Sequence, residues 1–116
     1  MSESDQKFEV PGFQAAGIAS GIKEDGRKDL ALLYSEAPAK AAGVFTTNVF
    51  KAAPVLLDLE RIKSGTSRAV IINSGNANAA TGDEGYQDAV KMARFCAGAL
   101  QIDESQVLVA STGVIG

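Results

Sequence analysis

The chain contains no histidine and a single cysteine, Cys96. Without histidine there is no imidazole general base, and nearly all zinc sites are excluded with it. One cysteine cannot form an internal disulfide, which fits a reducing, cytoplasmic setting. No apolar run approaches the ~18 residues of a membrane span. The polar, acidic start, Met1-Ser-Glu-Ser-Asp-Gln-Lys-Phe8, resembles neither a signal peptide nor an Arg-rich transit peptide. A strongly basic surface is also lacking. Eleven Lys and Arg stand against fourteen Asp and Glu, and the one local cluster, residues 23–28, mixes both signs. These features argue against nucleic-acid and membrane partners. What is present is 116 residues with 46% apolar content, enough for one packed domain.

The first nine residues read as a flexible tail. Residues 13–23 and 29–35 form two apolar runs around Asp25-Gly26, a pair suited to the positive φ of a tight hairpin turn. A short strand is expected over residues 42–46. Residues 51–63 are ambiguous. Val55-Leu56-Leu57 reads as a buried strand followed by a short helix from Asp58, although Pro54 also suits the first position of a helix. The β-branched run at residues 68–72 predicts a buried strand. A loop, Asn73-Ser-Gly-Asn-Ala-Asn-Ala-Ala80, follows it. Thr81 and Glu84 have the spacing of a capping box. Beyond them Tyr86, Ala89, Val90, Ala93, Cys96, Ala97 and Leu100 share one helical face, which makes Cys96 a core thiol rather than a nucleophile. A further strand, residues 107–110, ends at Ser111-Thr112-Gly113. Strands followed by a strand–helix–strand unit indicate a layered α/β or α+β domain.

Three places could carry chemistry. In Thr112-Gly113 a hydroxyl precedes a glycine N–H, so two adjacent donors could face a developing oxyanion. Taken alone, such a pair after a strand is more often an ordinary turn. The asparagines of the following-strand loop, Asn73, Asn76 and Asn78, offer uncharged donors and acceptors, a low-specificity substrate-binding signal beside the commoner role of asparagine in turns. That loop matches neither Gly-rich phosphate-binding fingerprint. Thr46 and Thr47 are internal, with no evident base, and read as packing or turn-capping residues rather than nucleophiles.

Six stretches together carry a family resemblance: Val10-Pro-Gly-Phe-Gln-Ala-Ala-Gly17, Gly26-Arg-Lys-Asp-Leu-Ala31, Ala42-Gly-Val-Phe-Thr-Thr-Asn48, Lys51-Ala-Ala-Pro-Val55, Asn73-Ser-Gly-Asn-Ala-Asn78 and Ser111-Thr-Gly-Val-Ile-Gly116. In this order they resemble the ornithine acetyltransferase (glutamate N-acetyltransferase) family of arginine biosynthesis. The resemblance implies that residues 10–116 are the N-terminal portion of an α chain, part of an α/β sandwich of the self-processing aminopeptidase type. It implies a precursor that cuts itself before an internal threonine. The new N-terminal threonine of the β chain is then the nucleophile, and it lies downstream of Gly116. Acetyl passes from N-acetylornithine to glutamate in a ping-pong cycle without a cofactor, and some members also take acetyl-CoA as donor. By the same resemblance Thr112 supplies its hydroxyl and Gly113 its N–H to the oxyanion hole, and α and β chains associate. A related self-processing amidohydrolase or aminopeptidase, or a non-catalytic ligand-binding module, stands as the alternative.

Overall fold

The computed structural model of the chain describes residues 9–19, 26 and 28–114. Four strands form one sheet in the order β1-β2-β3-β4: β1 Phe13–Ile18, β2 Leu30–Lys40, β3 Thr66–Asn76 and β4 Val107–Val114. The first two pairings are antiparallel, and β3 pairs with β4 in parallel. Helix α1, Ala53–Arg61, precedes β3, and helix α2, Gly82–Leu100, makes the crossover from β3 to β4. A parallel pair needs such a crossover, because its second strand must restart at the same end as the first.

Both helices pack on one face of the sheet. Pleating turns alternate side chains toward them. Ala69 and Ile71 of β3 and Val107 and Val109 of β4 meet Leu57 of α1 and Ala89, Ala93, Cys96 and Ala97 of α2 in the core. The helical face expected for α2 is the face that packs, and three alanines let its backbone lie close to the sheet. Cys96 is buried as expected, and burial pushes its thiol pKa up, away from the reactive thiolate. No described helix is long and apolar enough to cross a membrane.

The first two strands pair antiparallel as expected, and Gly26 has a positive φ of 77°. Asp25, the rest of that turn and most of the expected tail lie outside the described residues. Four other local expectations need correction. Residues 42–46 are not a strand. β2 already reaches the end of β3 through the pairs Ala39–Ser67 and Lys40–Thr66, so among the described residues the chain beyond has no neighbour to complete a ladder. Val44 is fully exposed there and Phe50 92% exposed. Thr46 Oγ1 accepts the Asn48 N–H at 3.1 Å, a turn-capping role.

Val55-Leu56-Leu57 is helical rather than extended. Pro54 sits in the first turn, where its missing N–H costs nothing. Ala53 and Leu57, four residues apart, turn inward while Leu56 stays 44% exposed. The expected loop at Asn73 begins later, because β3 runs through Asn76 alongside β4. The capping box does not form either. The Thr81 hydroxyl instead donates to Asn78 Oδ1 at 2.5 Å.

Helix α1 also satisfies the outer edge of β4. Asp58 Oδ1 accepts the Val109 N–H at 2.9 Å. Arg61 donates to the carbonyls of Glu104 and Val107 and pairs with the Glu104 carboxylate at 3.1 Å. Unpaired strand edges otherwise recruit other strands. Burial raises the Asp58 pKa from its ordinary 3.8 to about 6, against the opposing pull of the Val109 N–H and the Arg61 charge. Its folded state therefore holds a proton more tightly than the unfolded chain. The stabilisation is full below about 3.8 and is lost as pH rises through about 6. Asp58→Asn keeps an acceptor for Val109 and removes the charge. Melting temperature followed across this pH range should fall less steeply in Asp58→Asn than in the parent. Parallel profiles would show that Asp58 does not titrate as described.

Candidate functional site at the ends of β3 and β4

The two parallel strands carry the candidate residues to one end of the sheet. Asn73 lies beside Ser111, Ser74 beside Thr112, and Gly75 beside Gly113. Side chains at Asn73 and Ser111 fall on the helix-covered face with Ile71 and Val109. Thr112 falls on the opposite face, in phase with Leu108 and Ala110. The three asparagines and Ser111 converge on a cavity of about 270 Å³, also lined by Asp88 and Met92. Thr112 and Gly113 are exposed and do not line it. The structure thus unites Asn73, Asn76 and Asn78, and sets the Thr-Gly pair on the other side of the same strand end.

The asparagine amides are engaged in bracing this end of the fold. Asn73 is 8% exposed. Its Nδ2 donates to the Asn76 carbonyl at 3.0 Å, and its Oδ1 accepts the Ser111 hydroxyl. Asn76 Oδ1 accepts the Asn78 N–H at 3.0 Å. Asn78 ties its loop to both helices: Nδ2 donates to the Gly85 carbonyl of α2 at 2.8 Å, Oδ1 accepts from Thr81 at the start of α2, and its carbonyl accepts the Ala53 N–H of α1 at 3.3 Å. Gly85 is required for this arrangement, since a Cβ there would lie 1.8 Å from Thr81 Oγ1 and 2.5 Å from Asn78 Oδ1. Asn78 and Ala80 both take positive φ, 52° and 58°. Asparagine tolerates that region, whereas alanine is strained in it.

Gly113 has φ +125°, a region in practice open only to glycine. A Cβ at Gly113 would stand 2.4 Å from the carbonyl carbon of Gly75 and 2.7 Å from its Cα. The glycine thus fits two demands: an unusual backbone direction and direct contact with the neighbouring strand. Sequence reasoning passed over Gly75 and gave Ser111 no role beyond shaping the strand end. Their signal lies in the strand register, which places Gly75 under Gly113 and the Ser111 hydroxyl against Asn73. Among the described residues, no group of three or more Cys, Asp and Glu side chains could hold a metal ion.

Comparison with known proteins matches the model of the ArgJ family over residues 14–116. The chain belongs to the ArgJ family. It is 58% identical to the arginine biosynthesis bifunctional protein ArgJ of Caldanaerobacter subterraneus subsp. tengcongensis, covering 100% of this chain and 29% of that protein. It is also 58% identical to ArgJ 1 of Clostridium acetobutylicum, over 93% of this chain and 26% of that protein. Among solved structures, the ornithine acetyltransferase of Mycobacterium tuberculosis complexed with ornithine superposes with a TM-score of 0.88 at 49% identity. The match covers 91% of this chain and 58% of that one. The ArgJ structure from Bacillus halodurans gives 0.87 at 46% identity, over 91% and 56%. The ArgJ-family chain therefore spans under a third of the curated relatives it matches. Its layered α/β architecture is that of the ArgJ structures, of which it forms a part.

Replacing Gly113 with alanine should uncouple the ends of β3 and β4 and cost more than about 1 kcal/mol, because neither the φ nor the space admits a Cβ. Denaturant unfolding of the full-length protein measures this. An unchanged midpoint would show that the strand end relaxes freely.

Proposed function

We propose that this chain supplies the oxyanion hole of an enzyme that transfers acetyl from N-acetylornithine to glutamate. The reading rests on ArgJ-family membership together with one observation. A Thr-Gly pair ends a parallel strand, with Gly113 in a conformation available only to glycine. Thr112 offers its hydroxyl and Gly113 its N–H. The nucleophile is the N-terminal threonine of a β chain cut from the same precursor. Its hydroxyl attacks the acetyl carbonyl, and the tetrahedral oxyanion is stabilised by donors that stand in place before charge develops. Ornithine leaves with a proton on its nitrogen, and the acetyl-enzyme is then opened by the amine of glutamate. Acetyl-CoA serves as a second donor chemistry on the same acyl-enzyme. Asn73, Asn76 and Asn78 shape the adjoining cavity, and no cofactor is required. The proposed setting is cytoplasmic.

The uncovered side of the sheet supports a partner chain. Phe13, Leu33, Val70 and Leu108 line an open apolar depression there, and Ile72 adjoins it beside Ala31. Phe13 and Leu33 are each more than two-fifths exposed. Contiguous apolar surface of this kind marks an interface, and the β chain is the occupant proposed here, giving a hetero-oligomer of α and β chains. Purification of the full-length protein should yield two associated polypeptides, the second with threonine as its N-terminal residue. A single uncut chain with full activity would refute that part of the reading.

For the chemistry, Thr112→Ala in the full-length enzyme should lower kcat by roughly ten- to a thousandfold, as loss of one such donor does. An unchanged kcat would remove the oxyanion role. Release of free acetate in place of acetylglutamate would assign the site to hydrolysis rather than transfer.

A further inference from the structure

We infer that Asn73 and Ser111 form a positioning pair that, with the Gly75–Gly113 contact, sets the direction of the Thr112 hydroxyl and the Gly113 N–H. This inference rests on the oxyanion reading above and assigns how that site is held.

Thr112 is bracketed by two restraints to the same neighbouring strand. On one side, the Ser111 hydroxyl donates to Asn73 Oδ1. On the other, the Gly113 backbone lies directly against that of Gly75. The Asn73 amide cannot turn to follow a moving serine, because its Nδ2 is fixed on the Asn76 carbonyl at 3.0 Å. Asn73 is buried, so water competes poorly for the Ser111 hydroxyl.

A strand tethered by one residue's side chain cannot rotate about its own axis at that point. Ser111 and Thr112 project from opposite faces, so fixing Ser111 inward fixes Thr112 outward. The Gly113 contact then sets the peptide plane that follows. Donors for a developing oxyanion act only when held near their final geometry, and small misplacements lower the rate steeply. The asparagine network thereby serves the reaction from the far side of the strand. Neither Asn73 nor Ser111 need touch the substrate.

The test is steady-state acetyl transfer from N-acetylornithine to glutamate by the full-length enzyme. Ser111→Ala should lower kcat roughly tenfold with little change in KM for either substrate. Ser111→Thr should restore most of the rate, because it keeps the hydroxyl and its extra methyl can enter the adjoining cavity. The double variant Ser111→Ala with Thr112→Ala should lose less than the product of the two single losses, since positioning matters less once the Thr112 hydroxyl is gone. If Ser111→Ala fails to fold, Ser111→Cys keeps the size, weakens the donor, and should show the same fall in kcat. The inference is overturned if Thr112→Ala is impaired while these Ser111 variants keep parental kcat, or if the two losses multiply in full. If Thr112→Ala is itself unimpaired, the oxyanion reading fails first, and this inference falls with it.

Discussion

The parallel pairing of β3 with β4 is the constraint on which the rest of the structure depends. It aligns Asn73 with Ser111 and Gly75 with Gly113, and a Cβ at Gly113 would find no room against the Gly75 backbone. A parallel pair requires the α2 crossover. The alanine face of that helix covers the inward residues of both strands, and its N-terminal region meets the asparagine network through Thr81 and Gly85. One register thus sets the core, the cavity and the direction of the Thr-Gly pair together.

The two sides of this strand end divide the work. On the covered side, the polar groups satisfy one another: asparagine amides, a serine and a threonine hydroxyl, and backbone carbonyls. Buried polar groups left without partners would be costly. On the uncovered side, Thr112 and Gly113 are exposed, and the nearby face is apolar. The proposed chemistry belongs to that second side, where the remainder of an ArgJ protein would meet the chain. α1 contributes differently. Asp58 and Arg61 occupy the edge groups of β4, so they hold the strand against loss of register while closing the edge to further strands.

Sequence patterning alone determined the elements with a strong period. The α2 face from Tyr86 to Leu100, the β-branched run in β3 and the layered α/β class were legible, because burial imposes a repeat that one chain displays by itself. Thr112 and Gly113 were legible as a weak donor pair from the residues themselves, and the resemblance carried by six ordered stretches is what set them above an ordinary turn. Residues 42–46 and Val55-Leu56-Leu57 were misread for a common reason. A short apolar run does not reveal whether a neighbouring strand exists to pair with it, nor whether Pro54 starts a helix. Only the tertiary structure decided these points, along with which asparagines meet, why Thr81 leaves its capping role for Asn78, and what Gly75 and Ser111 do. The asparagine contacts and the Thr81–Asn78 bond are local, but sequence spacing does not choose among the hydrogen bonds open to those side chains. The contacts of Gly75 and Ser111 join positions 38 apart in the chain, and the register that brings them together is a property of the folded sheet.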